Sequence, residues 1–372
     1  MLKYDPKLSE ILKNEKTFIE KYGISIQVKS IPDENKPGVF DPRQYELSKA
    51  SAEAYAKNTA QNAMSGGDPI QAMRDMMGFP NLNLNTVEII TKYETINLNG
   101  NEVGIWSYRP RRPLRKTGRP GFIYIHGGGW IGGATFTLEN PCKLLAERAD
   151  CVVFNIDYSL APEKPYPNGF NDCFGALEYI YGNAEKFGVD KDKLCMGGDS
   201  AGGNLTAAVA LRDRDEGKNM LKLQALIYPA VTFVHDGIEG FNWTMDDYEI
   251  DDTQRFMIEP GLSLGRPAED GGGGINLMER LYLSGGGDPG HPYISPMLAD
   301  KRGLCRALIA VAEFDGLRIS GEVYGRQLKD AGVDVRVLRY RGVGHAFIDM
   351  LGVLPQAEDL IGEIACEIKS MF

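Results

Sequence analysis

The hexapeptide Gly198-Asp199-Ser200-Ala201-Gly202-Gly203 holds the pattern G-x-S-x-G between a short apolar run, Leu194–Gly197, and a helix-prone stretch, Asn204–Asp215. A serine at the tip of a sharp strand-to-helix turn has its hydroxyl pushed into the open, and glycines beside it let strand and helix pass closely. Such a hydroxyl is a poor nucleophile until a base removes its proton, and that base needs a third group to fix its tautomer. A histidine and an acid are therefore required. In a strand-turn-helix setting the chain order is serine, acid, histidine, each on a loop after a strand. Of His126, His235, His291 and His345, the last has that address, in RGVGHAFID after the strand-like run Val333–Tyr340. Asp315, in ALIAVAEFDGLRIS, directly follows the run Ala307–Ala312 and is the acid of choice. Glu313 is two residues earlier, Asp334 lies inside a strand and Asp330 belongs to a helix.

A second loop, IHGGGWIGG (Ile125–Gly133), follows the apolar run Phe122–Ile125 and brings bare backbone N–H groups towards something negative. Gly127, Gly129 and Gly132 satisfy G-x-G-x-x-G, so a pyrophosphate is one reading. That reading needs a helix opening on the third glycine and an acid about twenty residues on. The sequence offers ATFTLENP after Gly133, a poor helix start, and Asp157 as the nearest acid. The alternative is an anion that exists only during reaction. When a serine attacks an acyl carbon the carbonyl oxygen becomes negative, and each donor placed for it is typically worth about 3 kcal/mol. N–H groups of this loop, with that of Ala201, would supply the donors.

These residues need a sheet to bring them together. Strand-like runs at Glu88–Ile96, Glu102–Tyr108, Phe122–Ile125, Cys151–Ile156, Leu194–Gly197, Leu223–Tyr228, Ala307–Ala312 and Val333–Tyr340 alternate with helix-like ones. The pattern predicts a mostly parallel eight-stranded sheet with helices on both faces. An Asn99-Gly100 turn predicts a hairpin between the first two strands, and Leu360, Ile361, Ile364 and Ile368 give the last helix, Gln356–Met371, one apolar face. Two regions break the alternation. Residues 1–86 read as helices and loops, with an alanine-rich helical run near Ser48–Met64. Residues 232–292 carry acids, aromatics (Phe241, Trp243, Tyr248), the run Gly271–Gly274 and the cluster Gly285–Gly287. Both are expected to form one helical cap, giving N-terminal cap helices at 1–86, core at 87–231, a cap insertion at 232–292 and core again at 293–372. The cap aromatics and Met73, Met76 and Met77 read as packing ahead of pocket walls.

Composition removes several other classes. With 372 residues, 43% apolar and 25% charged, the chain is neither disordered nor fibrous. A formal net charge of −10 argues against nucleic acid. The basic cluster Arg109–Lys116 reads as a solvated loop. The start, MLKYDPKLSEILKNEK, lacks the apolar segment of a signal peptide, and no run is long enough to span a bilayer, so a cytoplasmic location and no membrane partner are expected. Cys142, Cys151, Cys173, Cys195, Cys305 and Cys366 are scattered singly and read as reduced thiols; no metal and no cofactor are expected.

Taken in order, HGGGW, DYSLAPE (Asp157–Glu163), GDSAGG, EFDGLR and GHAF resemble the hormone-sensitive-lipase-like esterases, bacterial family IV of the α/β-hydrolases. The resemblance covers roughly Ile105 to Phe347 and implies the α/β-hydrolase fold with a helical cap. It implies that the N–H groups of Gly128, Gly129 and Ala201 form an oxyanion hole, that His126 braces its loop, and that Asp157 and Glu163 hold turns beside the site. It also implies a serine carboxylesterase acting on a small-molecule ester through Ser200, His345 and Asp315, and makes a homodimer through the edge strand Val333–Tyr340 an expectation. A capped pocket suits short acyl chains. Amide or peptide hydrolysis with the same triad stays open. A non-catalytic receptor on this fold is the rival from another class, and the gibberellin receptors that resemble the family typically lose the histidine present here at 345.

Three positions depart from the family pattern. Gly316 follows Asp315 where proline is usual, Ala346 follows His345 where glycine is usual, and Ser159 stands where arginine is common, so an ion pair of the relatives is expected to be missing.

Overall fold

All eight strand-like runs enter one sheet, joined there by two strands that the sequence reading does not contain. The computed structural model describes residues 3–51, 68–98, 100–113, 117–264 and 276–372. Its strands are β1 (Thr17–Lys21), β2 (Ile24–Lys29), β3 (Ile89–Leu98), β4 (Asn101–Pro110) and β5 (Arg119–Ile125), then β6 (Val152–Asp157), β7 (Val189–Asp199), β8 (Leu221–Ile227), β9 (Arg306–Phe314) and β10 (Val335–Gly344). The sheet order is β1-β2-β10-β9-β8-β7-β5-β6-β4-β3. From β2 to β6 every neighbouring pair is parallel. The hairpins β1/β2 and β3/β4, and the pair β4/β6, are antiparallel.

The first correction concerns residues 1–86, expected to be cap helices. Residues 17–29 instead form the β1/β2 hairpin, so the sheet has ten strands. The turn is Tyr22-Gly23, both with positive φ (53° and 81°), the backbone of a primed hairpin turn. A tyrosine in place of the usual Asn or Asp hides that signal. Lys29 hides the strand itself: fully buried, it ends β2 and donates to Glu363 Oε1 at 2.6 Å and to the Leu12 carbonyl at 2.8 Å. Parts of this region are helical, at Pro6–Asn14, at residues 42–51 and at Pro69–Asp75. The alanine-rich run near Ser48–Met64 lies, beyond residue 51, outside the described residues, as do Asn99 and the run Gly271–Gly274.

The second correction concerns the edge. β10 pairs with β9 on one side and with β2 on the other, Val337 opposite Ile26 and Tyr340 opposite Lys29. Val333–Tyr340 is therefore no edge strand, and two copies cannot pair through it as the sheet stands.

Apolar side chains fill both faces. Helices Asn168–Gly182, Ala201–Asp215 and Arg318–Asp330 contribute to one core, with Leu177, Leu205, Ile319 and Val323 buried in it. Helices Glu139–Ala149 and Pro355–Met371 contribute to the other, with Leu145, Leu360, Ile361 and Ile364. Between Thr232 and Pro292 the described chain makes short helical turns at Met245–Asp247, Arg255–Ile258, Glu259–Ser263 and Leu277–Tyr282. No helix of the described residues is long and apolar enough to cross a membrane.

Candidate active site

β7 ends at Asp199, and the helix Ala201–Asp215 begins two residues later, leaving Ser200 as the hinge. Its backbone sits at φ 55°, ψ −116°, a conformation that costs of the order of 1–3 kcal/mol and persists only where neighbours enforce it. They do: the Ser200 N–H donates to the Ile227 carbonyl at 2.9 Å, and the Ser200 carbonyl accepts from Asn204 N at 3.0 Å and Ala230 N at 3.2 Å. A Cβ at Gly202 would overlap the Ile125 carbonyl oxygen, so the helix can approach β5 at that point with glycine alone. The helix start leaves its first N–H groups without intrahelical partners and points its positive end at the Ser200 side chain.

His345 follows β10, and its Nε2 lies 2.9 Å from Ser200 Oγ. Its Nδ1 lies 2.7 Å from Asp315 Oδ2. Asp315 follows β9, is fully buried, and accepts a second bond on Oδ1 from Leu317 N at 2.9 Å. Burial works against the protonated imidazole, but the charge and hydrogen bond of Asp315 outweigh it and raise the His345 pKa. The rival acids are engaged elsewhere: Glu313 with Gly342 N and Arg341, Asp330 with Arg326, Asp334 with Arg306. So are the other histidines. His126 is buried and stacked on Tyr158, His235 packs towards Phe241, and His291 bonds Tyr293 N.

The glycine loop closes the third side. Gly128, Gly129 and Trp130 take positive φ (123°, 59° and 62°), which curls the loop so that Ile131 N and Gly132 N both donate to the Gly128 carbonyl. No internal acceptor meets the N–H of Gly128 or Gly129 among the described residues. The loop is tied to the serine turn through Gly127 N, which donates to Asp199 Oδ1 at 2.9 Å; Tyr124 OH donates to the same oxygen at 3.0 Å. A carboxylate directly beneath the loop repels a pyrophosphate, which disposes of the nucleotide reading.

Ser200, His345, Gly127, Gly128 and Gly129 line a cavity of about 260 Å³. Met76, Met77 and Phe79 wall it from the N-terminal region, and Leu264, Met278 and Glu279 from the 232–292 segment. A larger trough of about 1040 Å³ lies elsewhere, among charged side chains of the helix Pro355–Met371, and contains none of these groups.

Comparisons with known proteins place the chain in a family of this fold. The family model described as "alpha/beta hydrolase fold" matches residues 122–349. An arylesterase of Saccharolobus solfataricus is 33% identical over 257 residues, 69% of this chain and 77% of that protein. The carboxylesterase NlhH of Mycobacterium tuberculosis is 31% identical over 283 residues, 76% of this chain and 83% of that one. The chain belongs to the α/β-hydrolase family. Among solved structures, the Pyrobaculum calidifontis esterase superposes with a TM-score of 0.63 at 31% identity, over 89% of this chain and 99% of that chain. With such relatives over most of its length, this α/β-hydrolase is a carboxylic ester hydrolase of the hormone-sensitive-lipase-like branch.

The three departures of this hydrolase now have physical readings. At Gly316 a Cβ would overlap the Leu264 carbonyl oxygen, because the 259–264 segment packs its backbone onto the acid loop. Ala346 adopts the left-handed conformation (φ 63°, ψ 24°) that glycine takes at little cost. With Ser159 unable to form an ion pair, Glu163 pairs with Arg74 of the helix Pro69–Asp75, whose hydrogen bonds lower its carboxyl to about 2. Arg74 also donates to the carbonyls of Ile131 at 2.6 Å and Ala161 at 3.0 Å, tying the glycine loop to the N-terminal region.

Sequence reasoning missed several contributors. Trp243 Nε1 donates to the Gly316 carbonyl at 3.0 Å and Tyr248 OH to that of Asp315 at 2.9 Å, so these aromatics brace the acid loop and do not line the cavity. Met76 and Met77, taken as packing, are cavity walls. Asp199 and Asp349 are both among the residues lining the cavity; their nearness in sequence to Ser200 and His345 was the available signal.

Proposed function

We propose that this esterase hydrolyses small acyl esters through an acyl-enzyme. Ser200 Oγ attacks the carbonyl carbon while His345 Nε2 takes its proton. The tetrahedral oxyanion is held by the N–H groups of Gly128, Gly129 and Ala201. The bond to the leaving alcohol breaks as Nε2 returns the proton to it, and water repeats the sequence to release the acid. Asp315 keeps Nδ1 protonated and stabilises the imidazolium. The carrying observation is the continuous chain Ser200–His345–Asp315, at 2.9 Å and 2.7 Å, in front of a loop with unbonded N–H groups. The step so drawn uses protein groups and water alone.

A short acyl chain is favoured by the cavity volume of about 260 Å³, below the range of about 300–1,000 Å³ usual for drug-sized ligands. We further take residues 68–86 and the described residues of 232–292 as the two parts of a cap, since both line the cavity; the helix Pro6–Asn14 docks on the helix Pro355–Met371 instead. The test is an acyl-length series of chromogenic esters on the native protein and on Ser200→Ala. Rates should peak at acetyl or butyryl and fall at least about 10⁴-fold in the variant. Faster turnover of long-chain emulsified triglycerides would overturn the short-chain reading, and an active Ser200→Ala the mechanism. Parallel rates on matched esters and anilides separate esterase from amidase action.

A further inference from the structure

Ser200 and His345 do not exhaust the polar groups facing the cavity. Asp349 lies in the turn Phe347–Met350, four residues after His345, and lines the same cavity. It is 7% exposed, and its Oδ1 is buried without a hydrogen-bond partner among the described residues. No cation pairs with it there; what acts on its ionisation is burial first and the Asp199 charge second, and both push its pKa up. Asp199 is differently served. Its Oδ1 accepts from Tyr124 OH and Gly127 N, and the nearby His126 ring favours its charge further, although burial still raises its pKa. His345 also acts on Asp199 and favours its charge. Tyr124 on β5, Tyr158 after β6, Cys142 and Tyr228 after β8 act on the pair too, all held well above their ordinary pKa by burial and so neutral. Two carboxyls in mutual electrostatic reach cannot both ionise cheaply in such a place. The proton belongs on the one without donors. Asp349 is then a neutral carboxyl among the groups that line a cavity whose remaining walls include Met77, Phe79, Leu138, Leu264 and Met278.

We propose that Asp349 is a specificity residue: its carboxyl O–H donates a hydrogen bond to an ether, keto or hydroxyl oxygen lying a few bonds from the scissile carbonyl, and so selects oxygen-bearing small esters over their all-carbon isosteres. The assignment rests on the Ser200-centred mechanism above. A site built to bond a substrate oxygen discriminates against the analogue that lacks it, because its own polar group is then left buried and unpaired.

Matched pairs test this. On the acyl side the pair is p-nitrophenyl methoxyacetate and p-nitrophenyl butyrate; on the alcohol side it is 2-methoxyethyl butyrate and butyl butyrate. For each pair the ratio of kcat/KM is measured in the native protein, Asp349→Asn and Asp349→Val, with Ser200→Ala as the blank. In at least one pair the Val variant should lower the ratio by about tenfold, the worth of one neutral hydrogen bond, chiefly through the oxygen-bearing ester. Asn, which keeps a donor, should restore most of it, whereas a merely structural role would move both esters together. Ratios unchanged by Val in both pairs overturn the assignment while leaving the mechanism intact, provided Ser200→Ala is inactive. A native protein that hydrolyses none of the four esters, or a Ser200→Ala variant that still does, overturns the mechanism and this assignment with it.

Discussion

Asp315→Asn is the most discriminating perturbation of the site, because the structure leaves the amide no good orientation. Asp315 accepts two bonds, from His345 Nδ1 at 2.7 Å and from Leu317 N at 2.9 Å, and is fully buried. With the amide nitrogen towards His345, the histidine must accept there and carry its proton on Nε2. It can then no longer take the proton of Ser200 Oγ. With the amide nitrogen towards Leu317, two donors face one another in a buried site. The first arrangement keeps the backbone bond and wastes the base, so kcat should fall by about 10⁴, as for such a substitution in a serine triad. That loss is about 5.4 kcal/mol of transition-state stabilisation. KM should change little, since Asp315 is absent from the cavity lining. The pH profile gives a second readout. Activity needs neutral His345, so kcat/KM rises with pH through the histidine pKa. In the native protein Asp315 raises that pKa against the effect of burial; without its charge burial dominates, and the acid limb should move to lower pH. Stopped assays on a p-nitrophenyl ester over a pH range measure both. A plateau within about tenfold of native, or an acid limb that stays put or moves up, would refute the role given to Asp315.

Gly316→Ala must either push the 259–264 segment off the acid loop or turn the loop itself, since the Leu264 carbonyl occupies the place of the new side chain. A displacement near 1 Å at the acid can cost about 10²-fold, so kcat/KM should fall by one to two orders of magnitude with a lower Tm; native values for both would contradict the packing argument. Ala346→Gly relieves a left-handed alanine at φ 63°, about 1 kcal/mol of strain, and should raise Tm by about 2 °C without loss of kcat. A lowered Tm would show that the Ala346 methyl contributes packing that outweighs its strain.

What was legible in the sequence was whatever is encoded locally. Leu194–Gly197, Ala307–Ala312 and Val333–Tyr340 are strand-like runs, the first two apolar and the third alternating, and the three groups that meet at Ser200 each follow one of them. The illegible parts depend on partners distant in the chain. Lys29 reads as a surface residue until Glu363 and Asp359 are placed beside it. Tyr248 reads as core until its hydroxyl is seen at the Asp315 carbonyl, and Arg74 as a solvated charge until the glycine loop lies over it. ISIQVK does alternate β-branched with polar residues as a strand should, but over six residues only, and the decisive stabilisation comes from β10, over three hundred residues away.

The hairpin that the sequence concealed has two consequences for the site. It buries Ile24, Ile26 and Val28 beside β10, and at about 2 kcal/mol per side chain its removal would forfeit about 6 kcal/mol before any ladder hydrogen bond is counted. A second copy pairing at β10 would first have to meet that cost. β1, the new edge, is short and carries Glu20 and Lys21, features that discourage strand addition. Lys21 also reaches Asp247 at 2.7 Å, in the turn Met245–Asp247 that delivers Tyr248 to the Asp315 carbonyl. Arg318, at the start of the helix after the acid loop, donates to the Asp247 carbonyl at 2.7 Å and so closes the same ring of contacts. The N-terminal edge of the sheet is thereby connected, through a turn of the 232–292 segment, to the carboxylate that orients His345. Disturbing the hairpin should therefore act on the acid loop before it acts on Ser200, whose turn is held independently by Ile227, Asn204 and Ala230.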